Sequence, residues 1–108
     1  SRYGYLPHSQ IGSHCAAFIE RLRAVPRGAS WPAVCTAMFD VHWCINLKGH
    51  YFSDGCGRTA TVIGGWVSDW MSGDLFVLPA RSQYLEVADA ENPLERWTRA
   101  CREAADLG

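Results

Sequence analysis

The chain has 108 residues, 48% of them hydrophobic and 19% charged, and a formal net charge of −1. That length makes one domain, residues 1–108, with one modest hydrophobic core, and the composition excludes a disordered chain. The near-neutral charge excludes bulk electrostatic attraction to nucleic acid or an anionic membrane, and no apolar run reaches the ~18–20 residues of a membrane span.

The chain opens "SRYGYLP", with neither a methionine nor a signal peptide, which is expected of a mature product or a processed fragment. Residues 1–12 read as an irregular arm, because Gly4, Pro7 and Gly12 break any period, with Tyr3, Tyr5 and Leu6 anchoring it. A first helix follows Ser13 as N-cap, with Cys15, Phe18, Ile19 and Leu22 at helical spacing, and Pro26 and Gly28 ending it. Ser30 caps a second helix over 31–39, Pro32 fits its first turn, and Trp31, Val34, Cys35, Met38 and Phe39 form one apolar face.

The period then changes. Phe39, Val41, Trp43, Ile45 and Leu47 alternate with Asp40, His42, Cys44, Asn46 and Lys48, which predicts a central strand with one polar face. "GHYFSDGCGR", residues 49–58, follows as a tight exposed loop in which Gly55 and Gly57 supply positive φ, with Tyr51 and Phe52 expected in a second strand. Ile63, Trp66, Val67, Trp70 and Met71 predict a short third helix over 64–72 ended by Gly73, with Trp66 and Trp70 in the core. "DLFVLP" reads as a buried strand and "SQYLEVAD" as another. "NPLERWTRACREAADLG" is the strongest helix, with Asn92 as cap, Pro93 in the first turn and Glu95 completing a capping box. Its arginines 96, 99 and 102 read as a solvated face. The expected fold class is α+β: about three to four helices packed on a small, mostly antiparallel sheet.

Five cysteines in a chain this short favour a secreted, disulfide-stapled domain, and the odd number leaves one thiol free or bonded to another chain. Cys44 and Cys56 are candidates for one bridge, between the strand and its following loop. Cys15 and Cys35 are candidates for a second, joining helices. Cys101 is then the free thiol, buried on its helix and slow to react. His42, Cys44, His50 and Cys56 have zinc-ligand chemistry in the pattern H-x-C-x5-H-x5-C, but the short paired spacings of structural zinc sites are absent, and neither a metal nor any other cofactor is expected.

These features predict a small secreted binding protein of toxin, effector or inhibitor type, acting on a protein or small molecule. Its binding surface is the 49–58 loop, with His50, Asp54 and Arg58 as the polar part and Tyr51 or Phe52 as the apolar anchor. The alternative is a cysteine-dependent hydrolase or autoprotease, with Cys56 as nucleophile, His50 or His42 as base and Asp54 or Asn46 orienting it. The terminal "DLG" fits viral papain-like leader proteases that cut after a glycine, but the aromatic that follows their nucleophile is absent after all five cysteines, so no family is assigned. A third reading is a domain of an intracellular protein with reduced thiols.

Overall fold

The computed structural model describes residues 4–107. Helix α1 spans His8–Arg23, α2 Trp31–His42, α3 Cys56–Ser72, α4 Ser82–Asp89 and α5 Pro93–Leu107. A π-helical turn, Trp43–Leu47, continues α2 without a break. No strand occurs among the described residues, so the fold is all-helical and the expected α+β architecture with its antiparallel sheet is wrong.

The predicted central strand fails for a specific reason. Its alternation treated His42 and Cys44 as outward-facing polar residues, yet they are 0% and 2% exposed. With these two inside, Val34, Cys35, Met38, Val41, His42 and Ile45 follow helical spacing, and the two-residue period disappears. The π turn then advances the register. The Lys48 amide donates to the Trp43 carbonyl at 2.7 Å, with the Gly49 amide reaching the same oxygen at 3.2 Å. This wider turn lets Cys44, Ile45 and Leu47 all face the core.

The other predicted strands fail for want of a partner. In Asp74–Pro79 the side chains do alternate: Phe76 and Leu78 pack on the core while Leu75 and Val77 are exposed. The segment is extended, but no neighbouring strand pairs with it. "SQYLEVAD" forms α4 and turns Val87 and Ala88 inward. Tyr51 and Phe52 lie in a loop.

Helix α2 is central, packing against α3 and α5, and α4 packs on α5. The core joins Phe18 of α1, Met38 and Val41 of α2, Ile45 and Leu47 of the π turn, Val67 and Met71 of α3, Val87 of α4 and Trp97 of α5. Trp97 is fully buried, and its indole N–H donates to the Cys35 carbonyl at 3.1 Å, tying α5 to α2. Helix α3 starts eight residues before the expected start and runs through Gly64 and Gly65. Gly64 is tolerated there because it lets α2 approach closely: an added Cβ would meet Met38 Sδ at 3.3 Å and His42 Nε2 at 3.5 Å.

Three further expectations change. Helix α1 begins at His8, inside the predicted irregular arm, and Ser13 lies within it, donating to the Gln10 carbonyl. Of the arm's anchors, Leu6 donates its amide to the Lys48 carbonyl and Tyr5 stacks on His50 at 4.1 Å, whereas Tyr3 lies outside the described residues. Trp66 and Trp70 are not core: they stack on each other at 6.2 Å and are 60% and 42% exposed. Arg96 is not solvated either, since its guanidinium is inserted between Gln83 and Glu86 of α4. Asn92 caps α5 as expected, its Oδ1 accepting from the Glu95 amide at 3.2 Å, but the Glu95 side chain makes no return bond to complete the capping box.

All five cysteines are free thiols, so the expected Cys44–Cys56 and Cys15–Cys35 bridges are absent. Cys44 instead sits between Arg21, which donates to its sulfur at 3.3 Å, and Asp40, which accepts from it at 3.3 Å. Cys56 donates to the Phe52 carbonyl at 3.2 Å. Burial, followed by the nearby Asp40 carboxylate, pushes the Cys44 thiol up to about 12. Hydrogen bonding to Cys35, then burial, raises Cys101 as well. The cysteine-density argument for secretion depended on bridges, and with none formed no compartment follows from it. Thiol titration is expected to find five reactive cysteines in denaturant without reductant. In the native protein Cys15, the one cysteine that is not buried, should react first. A denatured count of three would restore a bridge.

Candidate functional site

The 49–58 loop joins the π turn to α3, and two of its residues set its path. Gly49 is buried against the π turn, where an added Cβ would lie 1.7 Å from the Cys44 carbonyl oxygen. Gly55 has φ +82° and turns the chain into α3. The expectation of positive φ at Gly57 is wrong: it lies in the first turn of α3. His50, at φ +45°, takes a positive φ instead.

The loop residues expected to bind divide into two groups. Tyr51 points inward: its hydroxyl shares a 2.7 Å hydrogen bond with His14 Nδ1, and its ring lies against Phe18. Burial raises its pKa. Tyr51 therefore fastens the loop to α1. Phe52 is exposed and lines a separate cavity with Leu6, His8 and Ile11.

His50, Asp54 and Arg58 do come together, lining a cavity of about 480 Å³ with Asn46, Ser53, Cys56, Gly57 and Arg81. Asp54 Oδ1 accepts from the Gly55 amide at 2.9 Å, and Oδ2 lies 3.8 Å from Arg58 Nη2. Both side chains are open to water, so this ion pair is weak and leaves Arg58 available. A second cavity, about 580 Å³, adjoins the first and shares Asn46, Gly57, Arg58 and Arg81 with it. Its remaining walls are largely apolar and include Leu47, Val62, Tyr84 and Leu85.

The shared wall is the chemical centre of the groove. A Cβ on Gly57 would lie 3.8 Å from the Asn46 amide group and 4.0 Å from Arg81 Nη2. A carboxamide, a guanidinium and the backbone of the first turn of α3 thus converge on one point. No side chain caps α3, so its first amides have no side-chain acceptor. Arg81 forms no ion pair with a described residue, and two guanidinium groups line the cavity with one carboxylate, that of Asp54. Such a surface favours a negatively charged group. Asn46 is legible only as an alternative to Asp54 for orienting a histidine, and no motif in the sequence marks Arg81 as a site residue.

The four zinc-type residues do not assemble. His42 is buried beside Tyr84 and Trp97, Cys44 faces Arg21 and Asp40, Cys56 faces Phe52, and only His50 and Cys56 share a cavity. No group of three or more metal-ligating side chains occurs among the described residues. No helix among them is long and apolar enough to cross a membrane. Comparison with protein-family models, curated proteins and solved structures finds no match to this chain.

Proposed function

We propose that the protein is a ligand-binding domain whose groove between the 49–58 loop, α3 and α4 holds an anionic group. The observation that carries this reading is the convergence of the Arg81 guanidinium and the Asn46 carboxamide on Gly57. Charge-assisted hydrogen bonds of this kind are the stronger ones, and a carboxylate accepts a fork of donors. Loop residues His50, Ser53 and Asp54 complete the rim.

The reading is tested by a heteronuclear NMR titration with propionate at millimolar concentrations. The Gly57 amide, the Asn46 side-chain amide and the Arg81 Nε resonance should move together, and chloride at equal ionic strength should leave them in place. Arg81→Ala should remove the response and keep the fold, because Arg81 is an exposed residue just before α4. Resonances that stay fixed with propionate would reject anion binding.

A cysteine-dependent hydrolase is the second reading, favoured by one observation: Cys56 opens α3 and lines the same cavity as His50, Asn46 and Asp54. The types needed for a nucleophile, a base and an orienting group are therefore neighbours. Binding is better supported, because Cys56 is 4% exposed and its thiol donates its hydrogen to the Phe52 carbonyl. Iodoacetamide distinguishes the two. Modification of Cys56 faster than Cys15 in the native state would favour the enzyme, and the reverse order favours the binder.

A further inference from the structure

We infer that the groove takes the free carboxy-terminus of a peptide that ends in a large aliphatic residue. This rests on the anion-binding reading above and adds what the anion belongs to. The two cavities meet at the wall formed by Asn46, Gly57, Arg58 and Arg81. On one side of that wall the surface is largely apolar, with Leu47, Val62, Tyr84 and Leu85 beside Thr61. On the other side it carries hydrogen-bonding groups, with Ser53, His50 and Asp54.

A ligand that uses all three regions must bring a negative charge, an apolar branch and a polar chain to one point. The terminal residue of a peptide does so on a single carbon. Its α-carboxylate meets Arg81 and Asn46, its side chain enters the apolar cavity, and its own amide leads the preceding chain past Ser53 and Asp54. Those two side chains are acceptors for the peptide N–H groups. A fatty acid has no polar chain to place, and inorganic phosphate has no apolar branch. Capture of a terminal carboxylate by backbone amides is an established mode of peptide recognition. The apolar cavity also offers uncovered surface, since Val62 is 72% and Leu85 60% exposed. Cavities of about 480 and 580 Å³ are each in the volume range of ligand pockets.

The test is fluorescence anisotropy with a labelled hexapeptide ending in Leu, prepared as the free acid and as the carboxamide. The acid should bind, and the amide should bind about tenfold more weakly or worse, the loss expected for one charge-assisted interaction. Replacing the terminal Leu by Asp, or Leu85→Glu in the protein, should weaken the acid by a similar factor. Circular dichroism checks that Leu85→Glu and Arg81→Ala remain folded. Equal affinities for acid and amide would overturn the inference, and so would binding of decanoate without binding of the peptide. If propionate moves the Gly57 and Asn46 resonances while the peptide acid does not bind, the carboxy-terminus is wrong and the anion site stands. If neither binds, both fall.

Discussion

Gly49→Ala is expected to destabilise the protein by on the order of 3 kcal/mol or more, the largest effect of adding a methyl at any described glycine. The added Cβ would fall 1.7 Å from the carbonyl oxygen of Cys44 and 2.7 Å from Tyr51 Cε1. The first of these atoms is backbone in the π turn, which is held by the Lys48 and Gly49 amides on the Trp43 carbonyl, and it has no rotamer to escape into. Relief requires the loop to lift off the turn, and this would also pull at the Tyr51–His14 hydrogen bond. Gly57→Ala is the control. It adds the same methyl in the first turn of α3, where nothing lies closer than 3.8 Å, and should be neutral or stabilise by up to about 1 kcal/mol through helix propensity. Urea unfolding of both variants measures the contrast. A Gly49→Ala midpoint within error of the parent would mean that the close approach does not exist in solution.

Acidification from pH 6.5 to 4 should remove about 3 kcal/mol of stability through His42 alone. This side chain is fully buried beside Tyr84 and Trp97, and neither ring nitrogen has a hydrogen-bond partner. Burial lowers its pKa to about 4 from an ordinary value of 6.5. The folded state therefore holds the neutral ring, while the unfolded state takes up a proton below 6.5. Stability attributable to His42 is complete above pH 6.5, falls as the pH drops, and levels off below about 4, where both states are protonated. His42→Leu removes the titration together with two unsatisfied polar atoms. This variant should be at least as stable as the parent at pH 7 and should lose less stability on acidification. Thermal unfolding of the two proteins at several pH values gives the difference directly. Parallel pH profiles would show that His42 is hydrated or hydrogen-bonded in solution.

The groove is partly visible in the sequence. Residues 49–58 stand out because glycines, His50, Asp54, Cys56 and Arg58 crowd together where the apolar period stops. His50, Asp54 and Arg58 line one cavity. Tyr51 could not be recognised as an anchor from its neighbours in sequence, because its partners His14 and Phe18 lie on α1. Asn46 and Arg81 belong to the site only because the π turn and the start of α4 meet at Gly57.

What the chain determines locally is the start of two helices and the end of a third. Asn92, Pro93 and Glu95 specify the start of α5, Ser30 and Pro32 mark the start of α2, and Gly73, with φ +75°, ends α3. Each signal acts through the backbone within about one turn, so distant residues cannot alter it. Which faces are buried is not a local matter. The run from Phe39 to Leu47 fits both a strand period and a helix period, and the choice depends on His42 and Cys44. These become interior residues only once α3 and α1 close over them. For Trp66 and Trp70 the outcome is the opposite: their helical spacing suits a core face, yet no other helix covers that side of α3 and they remain exposed. The burial of polar His42 and the exposure of two tryptophans both follow from where neighbouring helices run, and that is decided by packing over the whole chain.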